Sequence, residues 1–372
     1  MQHVRTGAER LANDPTLVPG ERIGLITNPT GVLPDLTPTL EALLAAGAPV
    51  TALFGPEHGM RGTAQAGFSE KDALDPRTGL PVYDTHQISG DELDAVVAAS
   101  GVDTLVFDIA DVGTRFYTYI WTMYDLLTSA ARLGVRFAVL DRPNPLGGTV
   151  VEGPLLDPAF ASFVGRFPLP IRHGRTAGEL ALAFDPDVLV VEMDGWTREM
   201  SYAETGLPWV MPSVNMPTVD TALVYPGTGL FEGTNFSEGR GTTRPFELVG
   251  APYADERYAR ELNALGLPGV RFREVYFTPT FQKHAGTTVC GVQLHVHDRR
   301  AFRPVLTGLS MLHLARTLYP GDFAWWGPNL FMEHLWGSDT LTRCLDDGGD
   351  PRELCPDPSL PDGHLLYPSS RR

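Results

Sequence analysis

The run Thr104-Leu105-Val106-Phe107-Asp108-Ile109-Ala110-Asp111-Val112-Gly113-Thr114-Arg115 decides the fold. Its first half is apolar with almost no alternation, which reads as a strand, Thr104 to Ile109, covered on both faces. Tyr117 to Leu133 then reads as a long amphipathic helix closed by Gly134, and Phe137 to Leu140 as the next strand. Strand, helix and strand in that order make a parallel pair joined by a crossover. The pattern recurs outward. Ile23 to Ile26, Val50 to Phe54 and Val188 to Val191 are further strands. Leu40 to Ala46, Asp91 to Ala99 and Thr176 to Phe184 are helices, the last with Glu179 three residues after Thr176, a capping-box spacing. The class is therefore α/β with a parallel sheet.

Beyond residue 205 the pattern changes, and we place a soft boundary there: a catalytic domain over 1–205 and a smaller α+β domain over 206–372. Residues 209–252 are dense in Gly, Pro, Thr and Asn and read as a long ordered loop system serving a site. Val270 to Phe277 and Val289 to His297 read as strands, and Arg303 to Leu318 as a helix.

Composition excludes several classes. With 29 Lys and Arg against 45 Asp and Glu, the net charge of -16 argues against nucleic acid and anionic membranes as partners. No run approaches the roughly 18 apolar residues of a membrane span. Cys290, Cys344 and Cys355 lack zinc spacing and are too few for a disulfide framework. Met1-Gln2-His3-Val4-Arg5 leads into polar sequence without an apolar leader, so the chain as written reads as cytoplasmic. A start placed after a true leader would look the same, which keeps a periplasmic or secreted location open.

The functional signal lies in the polar residues just past each strand. In an open parallel sheet the carboxyl ends of the strands share one edge, where ligands bind. That edge receives Asn28, then Gly55-Pro56-Glu57-His58-Gly59-Met60-Arg61, then Asp108 and Asp111 with Arg115 and Tyr117, then Asp141-Arg142-Pro143-Asn144. Neither GxGxxG, GxxxxGK[ST] nor GxSxG is present. Glu57 leads as catalytic acid, because Pro56, Gly55 and Gly59 present it from a tight turn; otherwise it bonds loop amides. His58 is an orienting or substrate-binding group, without a second His at metal spacing. Asp108 and Asp111 either work in the site or cap and close the turn; Arg115 either binds a substrate carboxylate or pairs with an Asp. Glu232 to Thr243, with Asn235, Glu238, Arg240 and Thr242, offers many partners for hydroxyls and amides, with Trp121, Trp209, Phe231 and Phe236 as sugar platforms.

These strings, together with Glu152-Gly153-Pro154 and Ser237-Glu238-Gly239-Arg240-Gly241-Thr242-Thr243, resemble the exo-β-N-acetylmuramidases of the NamZ type, over nearly the whole chain. The resemblance implies a Rossmann-like N-terminal domain, a smaller C-terminal one and a cleft between them for terminal N-acetylmuramic acid (MurNAc). It implies MurNAc-ended muropeptides or disaccharides as substrate, Glu57 as the leading catalytic residue, and no metal or organic cofactor. Asn215, in Pro212-Ser213-Val214-Asn215, joins the binding candidates. The partner of Glu57 lies among Asp108, Asp111 and Glu238, unless the acetamido oxygen of the substrate attacks instead. The lactyl carboxylate of MurNAc calls for an arginine, with Arg115, Arg240 and Arg61 the candidates. A non-catalytic muropeptide-binding module, or a hydrolase of the peptide or lactyl side, is the alternative.

Overall fold

The computed structural model describes residues 3–327, 331–363 and 365–369; Met1 and Gln2, where the N-terminal reading begins, lie outside them. The first part contains β1 (Ile23–Thr27), β2 (Val50–Gly55), β3 (Ala73–Leu74), β4 (Pro81–Asp84), β5 (Thr104–Asp108), β6 (Arg136–Leu140), the short antiparallel pair β7 (Glu152–Leu155) and β8 (Pro170–Arg172), and β9 (Leu189–Val191). Its main sheet runs β3-β4-β2-β1-β5-β6-β9 and is parallel except at β3. The chain steps from β1 to β2 on one side and to β5 on the other, so the order reverses between β1 and β5. Every residue of β1 and of β5 is buried, as their unbroken apolar character requires.

The helices of this part are α1 (Gly7–Asn13), α2 (Thr39–Ala45), α3 (Gly90–Ser100), α4 (Tyr119–Leu133) and α5 (Ala177–Phe184). Gly134 ends α4 in the left-handed region at φ 68°, and Thr176 with Glu179 forms the reciprocal capping box of α5. Helix α4 starts two residues later than the sequence suggests.

The second part holds α6 (Val219–Thr228), α7 (Glu256–Ala264) and α8 (Pro304–Leu318), with β10 (Leu248–Ala251), β11 (Val270–Phe277) and β12 (Val289–Val296) in the antiparallel order β10-β12-β11. The short helices α9 (Phe331–Trp336) and α10 (Thr340–Asp346) follow. Residues 209–252 are thus not all loop: α6 and β10 lie within them. In sequence the helix is hidden by Pro226 and Gly227, which normally argue against one. Packing explains the glycine. A Cβ on Gly227 would stand 1.9 Å from the carbonyl oxygen of Pro304 at the start of α8, so α6 and α8 touch backbone to backbone. One apolar cluster runs from Phe107 and Trp121 through Phe231 and Phe246 to Leu309 and Trp336, joining the two parts. No described helix is long and apolar enough to cross a membrane.

Candidate active site

The site begins at the end of β2. Gly59 N–H closes the turn on Pro56 O, with His58 and Gly59 both at positive φ (71° and 80°). This turn directs Glu57 inward, and two donors hold its carboxyl. Gly67 N–H donates to Oε1 at 2.6 Å, and the Thr118 hydroxyl at the head of α4 donates to Oε2 at 2.5 Å. Neither donor is visible from sequence, because each becomes relevant only when its loop folds over the strand end. His58 makes a 2.8 Å contact with Ala64 O through Nδ1, and burial lowers its pKa from 6.5. The imidazole is therefore neutral at pH 7, with Nδ1 carrying the proton.

A lowered histidine pKa has a definite consequence for stability. Below pH 6.5 the unfolded chain takes up a proton that folded His58 resists, so stability falls as the pH drops. The slope from one such group is at most about 1.4 kcal/mol per pH unit. Urea midpoints between pH 7.5 and 5.5 are expected to fall less steeply in His58→Gln than in the parent. Equal slopes would disprove it.

Glu57 faces a cavity of about 360 Å³ whose far wall is charged. Arg240 reaches Glu232 at 3.2 Å and Glu238 at 3.4 Å, and its guanidinium lies 5.0 Å from the centre of the Phe246 ring. Lys283, in the β11–β12 connection, meets Glu238 at 2.9 Å and the carbonyls of Phe231, Glu232 and Phe236. Burial pushes the Glu232 carboxyl above its ordinary range against the pull of Arg240. Tyr117, Ser213 and Asn215 form a neutral wall, and burial holds the Tyr117 phenol well above its ordinary pKa, hence protonated. At the mouth Phe163 stacks on Phe331 (6.2 Å, 15°) beside the half-exposed Trp326.

The structure thus gathers Glu57, His58, Tyr117, Asn215, Glu232, Glu238 and Arg240 around one cavity, and adds Thr118, Ser213 and Lys283, which sequence reasoning missed. It places the other candidates elsewhere. Asp108 is buried in a two-pronged ion pair with Arg142 (2.6 and 2.9 Å). Asp111 accepts from Gly113 N–H and meets His173 at 3.1 Å. Asp141 accepts from Thr176, Gly178 N–H and Tyr367. Asn144 bridges Arg175 O and Leu146 N–H, while Asn28 accepts from Thr30. Arg61 pairs with Asp75. Arg115 is spent on four backbone carbonyls. Asn235 ties Tyr253 to Asp322 O, and the Thr242 hydroxyl donates to Gly239 O. Trp121, Phe231 and Phe236 are core residues rather than platforms.

One cause covers most of these corrections. The segment from Tyr202 to Pro212 lies over the carboxyl ends of β1, β5 and β6, where Pro212 O accepts from Tyr119. Only about 30 Å³ remains at the β1–β5 reversal, roughly the room of one water. The strand-end polar groups there bond each other, and the open cavity is displaced toward β2 and the second part.

Known proteins share this fold. The family model for the N-terminal domain of the exo-β-N-acetylmuramidase NamZ matches residues 23–220, and that for its C-terminal domain matches 223–357. The peptidoglycan β-N-acetylmuramidase NamZ of Bacillus subtilis strain 168 is 49% identical over 354 residues, 93% of this chain and 85% of that protein. Two crystal structures of DUF1343 family proteins from Bacteroides fragilis each cover 95% of this chain. They superpose with TM-scores of 0.85 and 0.75 at 34% and 31% identity, over 94% and 93% of their own chains. With both family models in sequence and half of all residues shared with a relative along nearly its whole length, the chain belongs to the exo-β-N-acetylmuramidase NamZ family.

Proposed function

We propose that this chain is an exo-acting glycoside hydrolase that releases β-1,4-linked MurNAc from the non-reducing end of peptidoglycan fragments in cell-wall turnover. The observation that carries the chemistry is Glu57, fixed by Gly67 and Thr118 and aimed into a cavity opposite Glu232, Glu238 and Arg240. At about 360 Å³ the cavity lies at the lower end of small-ligand sites, roughly 300–1,000 Å³, which suits one terminal sugar better than a long strand.

In this reading Glu57 protonates the leaving glycosidic oxygen and then takes a proton from the attacking water. Asp108 and Asp111 are committed elsewhere, and Glu238 is matched by both Lys283 and Arg240. We therefore assign the second role to the acetamido oxygen of the substrate, which attacks the anomeric carbon as the leaving oxygen departs. Water then opens that cyclic intermediate. Defined fragments test the function. MurNAc-GlcNAc should yield free MurNAc, whereas GlcNAc-MurNAc should stay intact. Binding without release would make the chain a sugar-binding module, and release of peptide or lactate would make it a different hydrolase.

A further inference from the structure

We propose that Tyr117, Ser213 and Asn215 read the lactyl arm of the sugar, binding its carboxylate through neutral donors rather than through an arginine. The inference rests on the MurNAc specificity proposed above. All three residues are more than nine-tenths buried, yet each lines the cavity. The Asn215 amide nitrogen has no hydrogen-bond partner among the described residues, and the Tyr117 hydroxyl beside it is met by the hydroxyls of Ser213 and Tyr119. A buried donor left without an acceptor destabilises the free protein. On the wall of a cavity, the unpaired Asn215 donor next to this hydroxyl cluster points to an acceptor that arrives with the ligand.

The charged wall is a poor place for that carboxylate. Lys283 has three N–H bonds and already faces four acceptors, and Arg240 is held between Glu232 and Glu238. His58 is neutral, so an incoming anion there would meet three carboxyls and two cations that are already matched. The side chains of the neutral wall carry no charge of their own, and Glu57 is the carboxyl that acts on the Tyr117 hydroxyl.

Neutral recognition has a signature that a guanidinium lacks. Hydroxyl and amide donors favour a carboxylate oxygen over an ester carbonyl only modestly, by the added strength of a charge-assisted hydrogen bond, whereas a buried Arg strongly favours the acid. Calorimetry on the full chain with free N-acetylmuramic acid and its lactyl methyl ester reads this directly. The parent protein should prefer the acid by no more than about tenfold, the scale of one charge-assisted hydrogen bond. Asn215→Asp should turn the preference toward the ester by about tenfold or more, through like-charge repulsion. Tyr117→Phe should weaken both ligands by about tenfold, the loss of one buried hydrogen bond. An acid-to-ester ratio in Asn215→Asp equal to that of the parent would overturn the proposal, as would unchanged binding of both ligands by Tyr117→Phe. Because free sugar is the probe, a protein that binds it normally but cleaves no disaccharide would sink the hydrolase reading alone.

Discussion

Glu57→Gln is expected to lower kcat on a chromogenic MurNAc glycoside by about a thousandfold, within the 10²–10⁴ range of a positioned acid–base group. Binding should change little. The amide matches the carboxyl in shape, its oxygen can still accept from Gly67 N–H, and the Thr118 hydroxyl can turn to accept from its NH₂. What disappears is the proton that the leaving oxygen takes, so the loss should fall on kcat and not on KM. The matched control is Glu238→Gln. That change leaves Lys283 and part of Arg240 without their carboxylate in a buried wall, so it should cost stability as well as rate. Near-normal turnover by Glu57→Gln would remove Glu57 from the chemistry and pass the role to Glu232, a carboxyl of the same cavity whose proton burial favours.

The α/β framework was legible because its signals are local. Unbroken apolar runs mark strands buried on both faces, Gly134 marks a helix end, and Thr176 with Glu179 marks a helix start. Glu57 was legible for the same reason, since Pro56, Gly59 and the strand before them fix its turn from within. The rest of the site depends on which distant segment covers which strand end, and no local pattern encodes that. Asp108, Arg142 and Asp141 occupy the expected edge, but Tyr202 to Pro212 roofs the reversal point and turns these groups into internal fasteners. Lys283 had no signal: it is a lone lysine in a polar turn until the β11–β12 connection folds against Glu238. Helix α6 was hidden by Pro226 and Gly227, whose helical cost is met by contact with α8.

Arg115→Met should lower the unfolding free energy by about 4 kcal/mol, against the 1.5–3 kcal/mol typical of each hydrogen bond to a charged group less the cost of burying the charge. The sequence offers Arg115 as a clamp for a substrate carboxylate, but the structure gives it other work. Its Nη1 donates to the carbonyls of Pro154 and Leu169 at 3.0 and 2.8 Å, and its Nη2 to those of Leu335 and Trp336 at 2.8 and 2.7 Å. One guanidinium thereby joins the β7–β8 pair of the first part to the end of α9, more than two hundred residues away in sequence. Among the described residues no carboxylate offsets its burial, which pulls its pKa down to about 9 and still leaves it charged at neutral pH. A methionine fills similar space yet takes the guanidinium donors away from four carbonyls, of which Leu169 O keeps the Leu156 N–H. Arg115→Lys should recover only part of the loss, because three N–H bonds on one atom cannot reproduce two forks set apart by a planar group. Urea titration of both variants, alongside KM for the MurNAc glycoside, separates the roles. A raised KM with unchanged stability would make Arg115 a substrate ligand after all; lower stability with an unchanged KM in the folded fraction makes it the rivet that fixes α9, and with it Phe331, at the mouth of the cleft.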